Sequence, residues 1–229
     1  MKKHIVVLTG AGISAESGLG TFRASDGLWE RHRIEDVATP EGFQRDPERV
    51  LQFYNERRDQ LRQAEPNAAH FALVELESSH RVTIITQNID DLHERAGSSH
   101  IVHLHGELTK ACSSQDVELI YDIGYQPIEL GGRCELGSQL RPFVVWFGES
   151  VPMLERAAEL VAEADHLLVV GTSLQVYPAA GLVEWAGPSI PITVIDPGTP
   201  AHVRGANVLR KRASEGVPAW VEELRARVD

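Results

Sequence analysis

Three groups of side chains in this sequence have the types and spacing to do chemistry. The first is the stretch Gly10-Ala11-Gly12-Ile13-Ser14-Ala15-Glu16-Ser17-Gly18, which follows the apolar run Ile5-Val6-Val7-Leu8. A buried strand delivering glycines to a turn, with Ile13 to Leu19 opening a helix, would offer backbone N–H groups to a pyrophosphate with no side chain in the way. The second is Gln87-Asn88-Ile89-Asp90, directly after Val82-Thr83-Ile84-Ile85-Thr86. That is a strand end, where open parallel sheets hold their ligands, although Asn and Asp there also suit a turn with local hydrogen bonds. The third is His105 in Ile101-Val102-His103-Leu104-His105-Gly106-Glu107-Leu108. An imidazole ionises near neutrality and suits proton abstraction at cellular pH. The alternative, a strand-end histidine that only hydrogen-bonds, fits His103.

These groups need a sheet to bring them together. Further apolar runs at Phe143-Val144-Val145-Trp146-Phe147, His166-Leu167-Leu168-Val169-Val170, Ile192-Thr193-Val194-Ile195 and Asn207-Val208-Leu209 read as strands. Between them lie helical patterns. Thr39-Pro40-Glu41 and Asp46-Pro47-Glu48 are cap-then-proline helix starts. A helix is expected from Pro47 to about Ala64, a second after Pro66-Asn67, a third over residues 152–164, and a closing amphipathic one from Pro218. Alternation of this kind specifies an α/β fold, a doubly wound parallel (Rossmann-like) sheet. Two inserts interrupt it. Residues 1–24, 82–106 and 143–229 form the sheet domain, 25–81 a helical insert, and 107–142 a small polar insert. The long aperiodic stretch over residues 20–36 replaces the early second strand of a nicotinamide dehydrogenase, which makes hydride transfer the weakest reading.

Composition sets outer limits. With 229 residues and 42% hydrophobic content, the chain can bury a substantial core. A formal charge of −11 argues against nucleic acid or an anionic membrane as partner. No apolar run approaches a membrane span, and Met1-Lys2-Lys3-His4 leads into a strand that the fold needs, so no signal peptide is expected. Two well-separated cysteines make no disulfide framework and fit a reducing cytoplasm.

Six motifs then fall in register: Gly10-Ala11-Gly12-Ile13-Ser14, Thr21-Phe22-Arg23, Gln87-Asn88-Ile89-Asp90, His105-Gly106-Glu107, Phe147-Gly148-Glu149 and Gly171-Thr172-Ser173. Together they resemble the sirtuins, NAD-dependent protein-lysine deacylases, over nearly the whole chain. The resemblance implies cleavage of the nicotinamide–ribose bond of NAD and acyl transfer from lysine, giving nicotinamide, O-acyl-ADP-ribose and free lysine. It implies His105 as the base, with Asn88 and Asp90 as the other catalytic residues, lining the nicotinamide pocket. NAD contacts implied in the same way are Gly10, Ala11, Gly12, Ala15, Glu16, Thr21, Phe22, Arg23, Trp29, Gln87, Ile89, Gly171, Thr172, Ser173, Asp196 and Ala213. Phe147, Gly148 and Glu149 would add the substrate backbone as a strand, with Val176 and Tyr177 clamping its other side.

The helical insert carries a specificity clue. Tyr54 and Arg57, three residues apart, share one helix face. They match the Tyr-x-x-Arg pair of class III sirtuins, which accept succinyl and malonyl groups. Arginine pairs a carboxylate bidentately and tyrosine adds a donor. Ala38 matches a small residue that widens the acyl pocket, and Arg58 is expected to be the solvated neighbour.

The chain departs from the family in three places, one of them Gly20, which stands where relatives often have proline or arginine. Most sirtuins bind structural zinc through four cysteines, but the small insert has only Cys112 and Cys134, with no histidine between residues 106 and 141. Tetrahedral zinc needs four such ligands, so no metal is expected. At the last strands, Val194 stands where an asparagine commonly contacts the adenosine ribose, which leaves Asp196 for that role. The expected partners are acylated-lysine proteins and the expected form a monomer. Mono-ADP-ribosyl transfer and a non-catalytic NAD or ADP-ribose sensor are the alternatives.

Overall fold

The computed structural model describes residues 2–20, 32–198 and 203–226. In chain order the elements are β1 (His4–Thr9), α1 (Ile34–Val37), α2 (Pro40–Arg45), α3 (Pro47–Gln63), α4 (Ala68–Leu76), β2 (Arg81–Thr86), α5 (Leu92–Ala96) and β3 (Ile101–His103). They continue with β4 (Gly106–Ser113), β5 (Ile120–Asp122), β6 (Leu140–Val144), α6 (Leu154–Ala162), β7 (His166–Val170), β8 (Ile192–Ile195), β9 (Asn207–Leu209) and α7 (Ala213–Arg225).

Six parallel strands form the main sheet in the order β3-β2-β1-β7-β8-β9. Because side chains alternate across a strand, β1 feeds two cores. Ile5 and Val7 meet Leu73 and Leu76 of α4 and Val217 and Trp220 of α7 on one face. Val6 and Leu8 meet Ala157, Leu160 and Val161 of α6 on the other. With both faces covered, the strands need apolar residues throughout, which is why β1, β2 and β7 read as unbroken hydrophobic runs. A second, antiparallel sheet, β5-β4-β6, makes a small module. A third apolar cluster joins it to α3, with Phe53, Tyr54 and Leu61 against Leu108, Ala111, Val144 and Trp146.

Both cap-then-proline starts are realised. The Thr39 hydroxyl accepts from Gly42 N at 3.0 Å, and the Asp46 carboxylate accepts from Arg49 N at 3.1 Å. Five details differ from the sequence reading. Residues 11–17 make two 3₁₀ turns, Ala11–Ile13 and Ala15–Ser17, rather than a helix, and Gly18 ends them in the left-handed region at φ 88°. The apolar stretch 101–108 is split between the two sheets. At Gly106, φ is 78° and a Cβ would stand 2.2 Å from Phe143 O, so only glycine allows the turn. Residues 143–149 do not return to the main sheet, because β6 ends at Val144 and pairs with β4. α4 lies on the main sheet with α7 rather than in the helical insert, since Ala69, Leu73 and Leu76 bury against Ile5 and Val7. Finally, α7 begins at Ala213, five residues before Pro218, with Glu16 satisfying an N–H of its first turn.

Candidate active site

In the main sheet the chain runs outward from β1 through β2 to one edge and from β7 through β8 to the other, so β1 and β7 flank the point where strand order reverses. Such a switch point opens a crevice at the strands' carboxyl ends. Here the loops after β1 and β7 meet: Gly10 N donates to Val170 O at 3.0 Å and Gly12 N to Gly171 O at 2.8 Å. A Cβ on Gly12 would lie 2.6 Å from Gly171 Cα, and one on Gly171 would lie 2.3 Å from Ile13 N. The glycines are needed because two backbones touch, as well as for approach to a ligand.

Above this floor lies a cavity of about 790 Å³. All the sequence-predicted site residues that are described line it: Gly10, Ala11, Gly12, Ala15, Glu16, Ala38, Tyr54, Arg57, Gln87, Asn88, Ile89, Asp90, His105, Phe147, Gly148, Glu149, Gly171, Thr172, Ser173, Val176, Tyr177, Asp196 and Ala213. Thr21, Phe22, Arg23 and Trp29 lie outside the described residues.

His105 has its tautomer set by the backbone. Its Nδ1 is 2.9 Å from Gln87 O, and a carbonyl can only accept, so Nδ1 carries the proton and Nε2 keeps its lone pair. Burial lowers the His105 pKa, against the opposing effect of the Gln87 carbonyl. Gln87 is itself fixed, donating its N–H to Thr9 O at 2.9 Å and its side-chain amide to Thr172 Oγ1 at 3.2 Å. His103 is different. Burial pushes its pKa down, but the hydrogen bond and charge of Glu94, 2.6 Å from Nε2, together with the Glu107 charge and the Asn88 carbonyl, outweigh burial and raise it. Burial thus disfavours the charged form of His105, whereas Glu94 favours that of His103.

Asn88 and Asp90 share a donor chain. Asn88 Nδ2 donates to Ser14 Oγ at 3.2 Å and Gly10 O at 3.3 Å, and Ser14 Oγ donates to Asp90 Oδ2 at 2.9 Å. Asp90 Oδ1 accepts from Leu92 N at 3.2 Å. Burial raises the Asp90 pKa, with the Ser14 and Leu92 hydrogen bonds holding it down in part. Ser14 was not singled out from the sequence. Its position within the glycine motif was the available signal.

At the other end of the cavity, Tyr54 is buried and its hydroxyl oxygen accepts from Trp146 Nε1 at 3.0 Å. Burial pushes its pKa up to about 12, so the phenol stays protonated. Arg57, one helical turn on, sits with Cζ 5.7 Å over the Phe53 ring. Burial lowers its pKa, opposed by Tyr54 and Asp90. An under-solvated guanidinium beside a protonated phenol favours an entering carboxylate. Arg58 is fully buried rather than solvated, donating to Leu108 O at 3.3 Å and to Asn55 Oδ1. Burial brings its pKa down to about 10.

The remaining positions are less free than the sequence suggested. Phe147 and Gly148 form a turn closed by Glu149 N on Trp146 O, not a strand. The Glu149 carboxylate is engaged by Arg141 through two bonds of 2.8 and 3.0 Å. Glu16 receives Ser214 N at 3.0 Å and Ser214 Oγ at 2.7 Å. Asp196 accepts from Gly198 N at 2.8 Å through Oδ1.

The Sir2 family model matches residues 10–178. The NAD-dependent protein deacylase of Bacteroides thetaiotaomicron is 53% identical over 97% of both chains, and that of Vibrio cholerae 50% over 98% of this chain and 94% of its own. This chain belongs to the Sir2 family. Among solved structures, a Sir2 homologue in complex with NAD superposes with a TM-score of 0.90 at 40% identity, covering 100% of this chain and 91% of that one. A mutant Sir2 homologue with ADP-ribose gives 0.92 at 41%, covering 99% and 94%. The crevice fits the dinucleotide of the Sir2 family, since glycine backbones meet at the switch point beneath a cavity of sufficient size. The small module of this Sir2 chain does not fit zinc. Cys134 Sγ lies 3.1 Å from Ser138 Oγ, which lies 2.8 Å from Ser113 Oγ, while Cys112 Sγ faces Pro142 O at 3.8 Å. Two thiols and two hydroxyls lack the soft donor set that tetrahedral zinc requires.

Proposed function

We propose that the chain is an NAD-dependent protein-lysine deacylase whose acyl pocket takes succinyl and malonyl groups. The carrying observation is His105, tied through Nδ1 to the Gln87 carbonyl and with Nε2 free of any hydrogen bond among the described residues, in one cavity with the Asn88–Ser14–Asp90 chain and with Tyr54 and Arg57. NAD would supply a nicotinamide–ribose bond whose cleavage leaves a carbon that the acyl-lysine oxygen can attack, and with one water consumed the products are nicotinamide, O-acyl-ADP-ribose and free lysine. The loops at residues 10–12 and 171–173 would hold it. His105 accepts a ribose hydroxyl proton at Nε2, and the Gln87 carbonyl stabilises the imidazolium that results. Asn88 and Asp90 present fixed polar groups beside it, and Asp196 offers Oδ2 to the adenosine ribose. Tyr54 and Arg57 receive the acyl carboxylate, and Ala38 leaves room for it.

The same reading makes acylated-lysine proteins the partners, the cytoplasm the compartment, a monomer the working form and the small module metal-free. No helix among the described residues is long and apolar enough to cross a membrane. Turnover of acetyl-, succinyl- and malonyl-lysine peptides with NAD, by wild type, His105→Ala and Arg57→Met, tests the reading. Dominant succinyl turnover that dies with His105 and falls selectively with Arg57 supports it. Acetyl preference with an indifferent Arg57 removes the acyl assignment. A mass shift on a target protein indicates ADP-ribosyl transfer, and NAD binding without turnover indicates a sensor.

A further inference from the structure

The phenol of Tyr54 can meet a carboxylate only as a donor, and a hydroxyl rotor has no direction of its own. In this structure its oxygen already receives a proton from Trp146 Nε1 at 3.0 Å. That contact leaves the Tyr54 O–H proton to be given elsewhere, and Tyr54 lines the cavity. Trp146 is in turn immobilised. Its backbone N donates to Glu149 Oε2 at 2.7 Å, and the Arg141 guanidinium lies 3.9 Å over its ring. Arg141 closes the loop by forking onto the same Glu149 carboxylate and donating to Val144 O at 3.2 Å. Phe43 packs against the indole at 5.3 Å between ring centroids. The indole is therefore clamped from several sides, with its one N–H directed at Tyr54. Neighbouring Phe147 and Gly148 are the segment assigned to the substrate backbone.

We propose that Trp146, clamped by the Arg141–Glu149 pair, is the positioning residue for acidic acyl groups: its indole N–H takes up an acceptor site of the Tyr54 oxygen and so turns the O–H proton toward the cavity. This rests on the reading of Tyr54 and Arg57 as the carboxylate site.

Trp146→Phe keeps an aromatic ring and deletes the N–H. We expect the succinyl-to-acetyl ratio of kcat/KM to fall about three- to tenfold, the scale of one neutral hydrogen bond, through KM for the succinyl peptide rather than kcat. In a Tyr54→Phe background the same substitution should leave that ratio where Tyr54→Phe alone puts it. Glu149→Gln, which loosens the clamp and spares the indole, should lower the ratio by a smaller factor. An equal loss on both peptides, or a kcat effect alone, would make Trp146 merely structural and overturn the proposal. A normal ratio in Trp146→Phe beside a lowered one in Tyr54→Phe would overturn the proposal and leave the Tyr54 site standing. A wild type with no preference for succinyl would remove the site itself, and the proposal with it.

Discussion

The two ends of the cavity are built by different means. At the His105 end, the polar side chains come from strand ends of one sheet and are tied to backbone: His105 to Gln87 O, Asn88 to Gly10 O, Asp90 to Leu92 N. At the Tyr54 end, a helix supplies the polar groups, and the orientation of the Tyr54 hydroxyl comes from Trp146, which Arg141 and Glu149 hold in or beside the antiparallel module. Backbone-held groups tolerate little change in sequence or geometry, whereas groups held side chain to side chain can be exchanged without moving the sheet. The arrangement separates a reaction common to every acyl substrate from the choice among them.

The sharpest division between the ends comes from His105→Ala, which should lower turnover of acetyl, succinyl and malonyl peptides alike by about 10²- to 10⁴-fold while NAD still binds. Retained turnover of any one of them would break the division. Arg57→Met should act only at the other end, lowering succinyl kcat/KM by about ten- to a hundredfold, the scale of a charge-assisted hydrogen bond, and moving acetyl far less.

Protons also separate the two ends. His105 must be neutral to accept a proton, and burial lowers its pKa, so the acid limb of kcat/KM should fall below pH 6.5, the ordinary histidine value. Replacing Tyr54 should not move that limb. Stability carries its own acid limb. His70 is fully buried and its pKa is lowered to about 4 by burial, so the unfolded chain binds a proton more readily than the folded one. The stability this represents is complete above about pH 6.5 and is lost as pH falls toward about 4, up to about 3 kcal/mol. His93, packed against it at 4.9 Å between ring centroids, adds in the same direction. Urea unfolding at neutral and mildly acid pH measures the loss, and His70→Gln should flatten it. The smallest effect is expected from metal chelation, which should leave both the unfolding midpoint and the succinyl-to-acetyl ratio unchanged. Zinc at about one equivalent per chain would show that the module has a ligand set beyond Cys112 and Cys134.

Legibility followed burial and range. Strands covered on both faces, such as Val6-Val7-Leu8, announce themselves as apolar runs, and the caps at Thr39 and Asp46 are local chemistry. Of the cavity lining, most of what could be read was carried by motifs next to strand ends, and Tyr54 and Arg57 by their spacing on a helix. What escaped depended on distant partners. The role of Trp146 lies in an oxygen 92 residues away, and that of Ser14 in a carboxylate 76 residues away. Arg58 looked like a surface residue because one of its acceptors, the Leu108 carbonyl, and the burial of its side chain appear only when α3 packs on β4. Across the stretch 101–108 the domain boundary was legible near residue 106, but the apolar pattern does not reveal that Gly106 turns the chain into another sheet.

The contact between Gly12 and Gly171 bears on how this cleft can vary among descendants of the chain. A methyl group at either position would stand within 2.6 Å of backbone from the opposing loop, with no flexible side chain able to give way. In a library covering all substitutions, these two glycines should therefore be depleted from the folded population. His105 variants should remain abundant and simply inactive, because the imidazole hangs over the crevice without closing it. Diversity in this site is confined to its walls, and its floor is inherited intact or not at all.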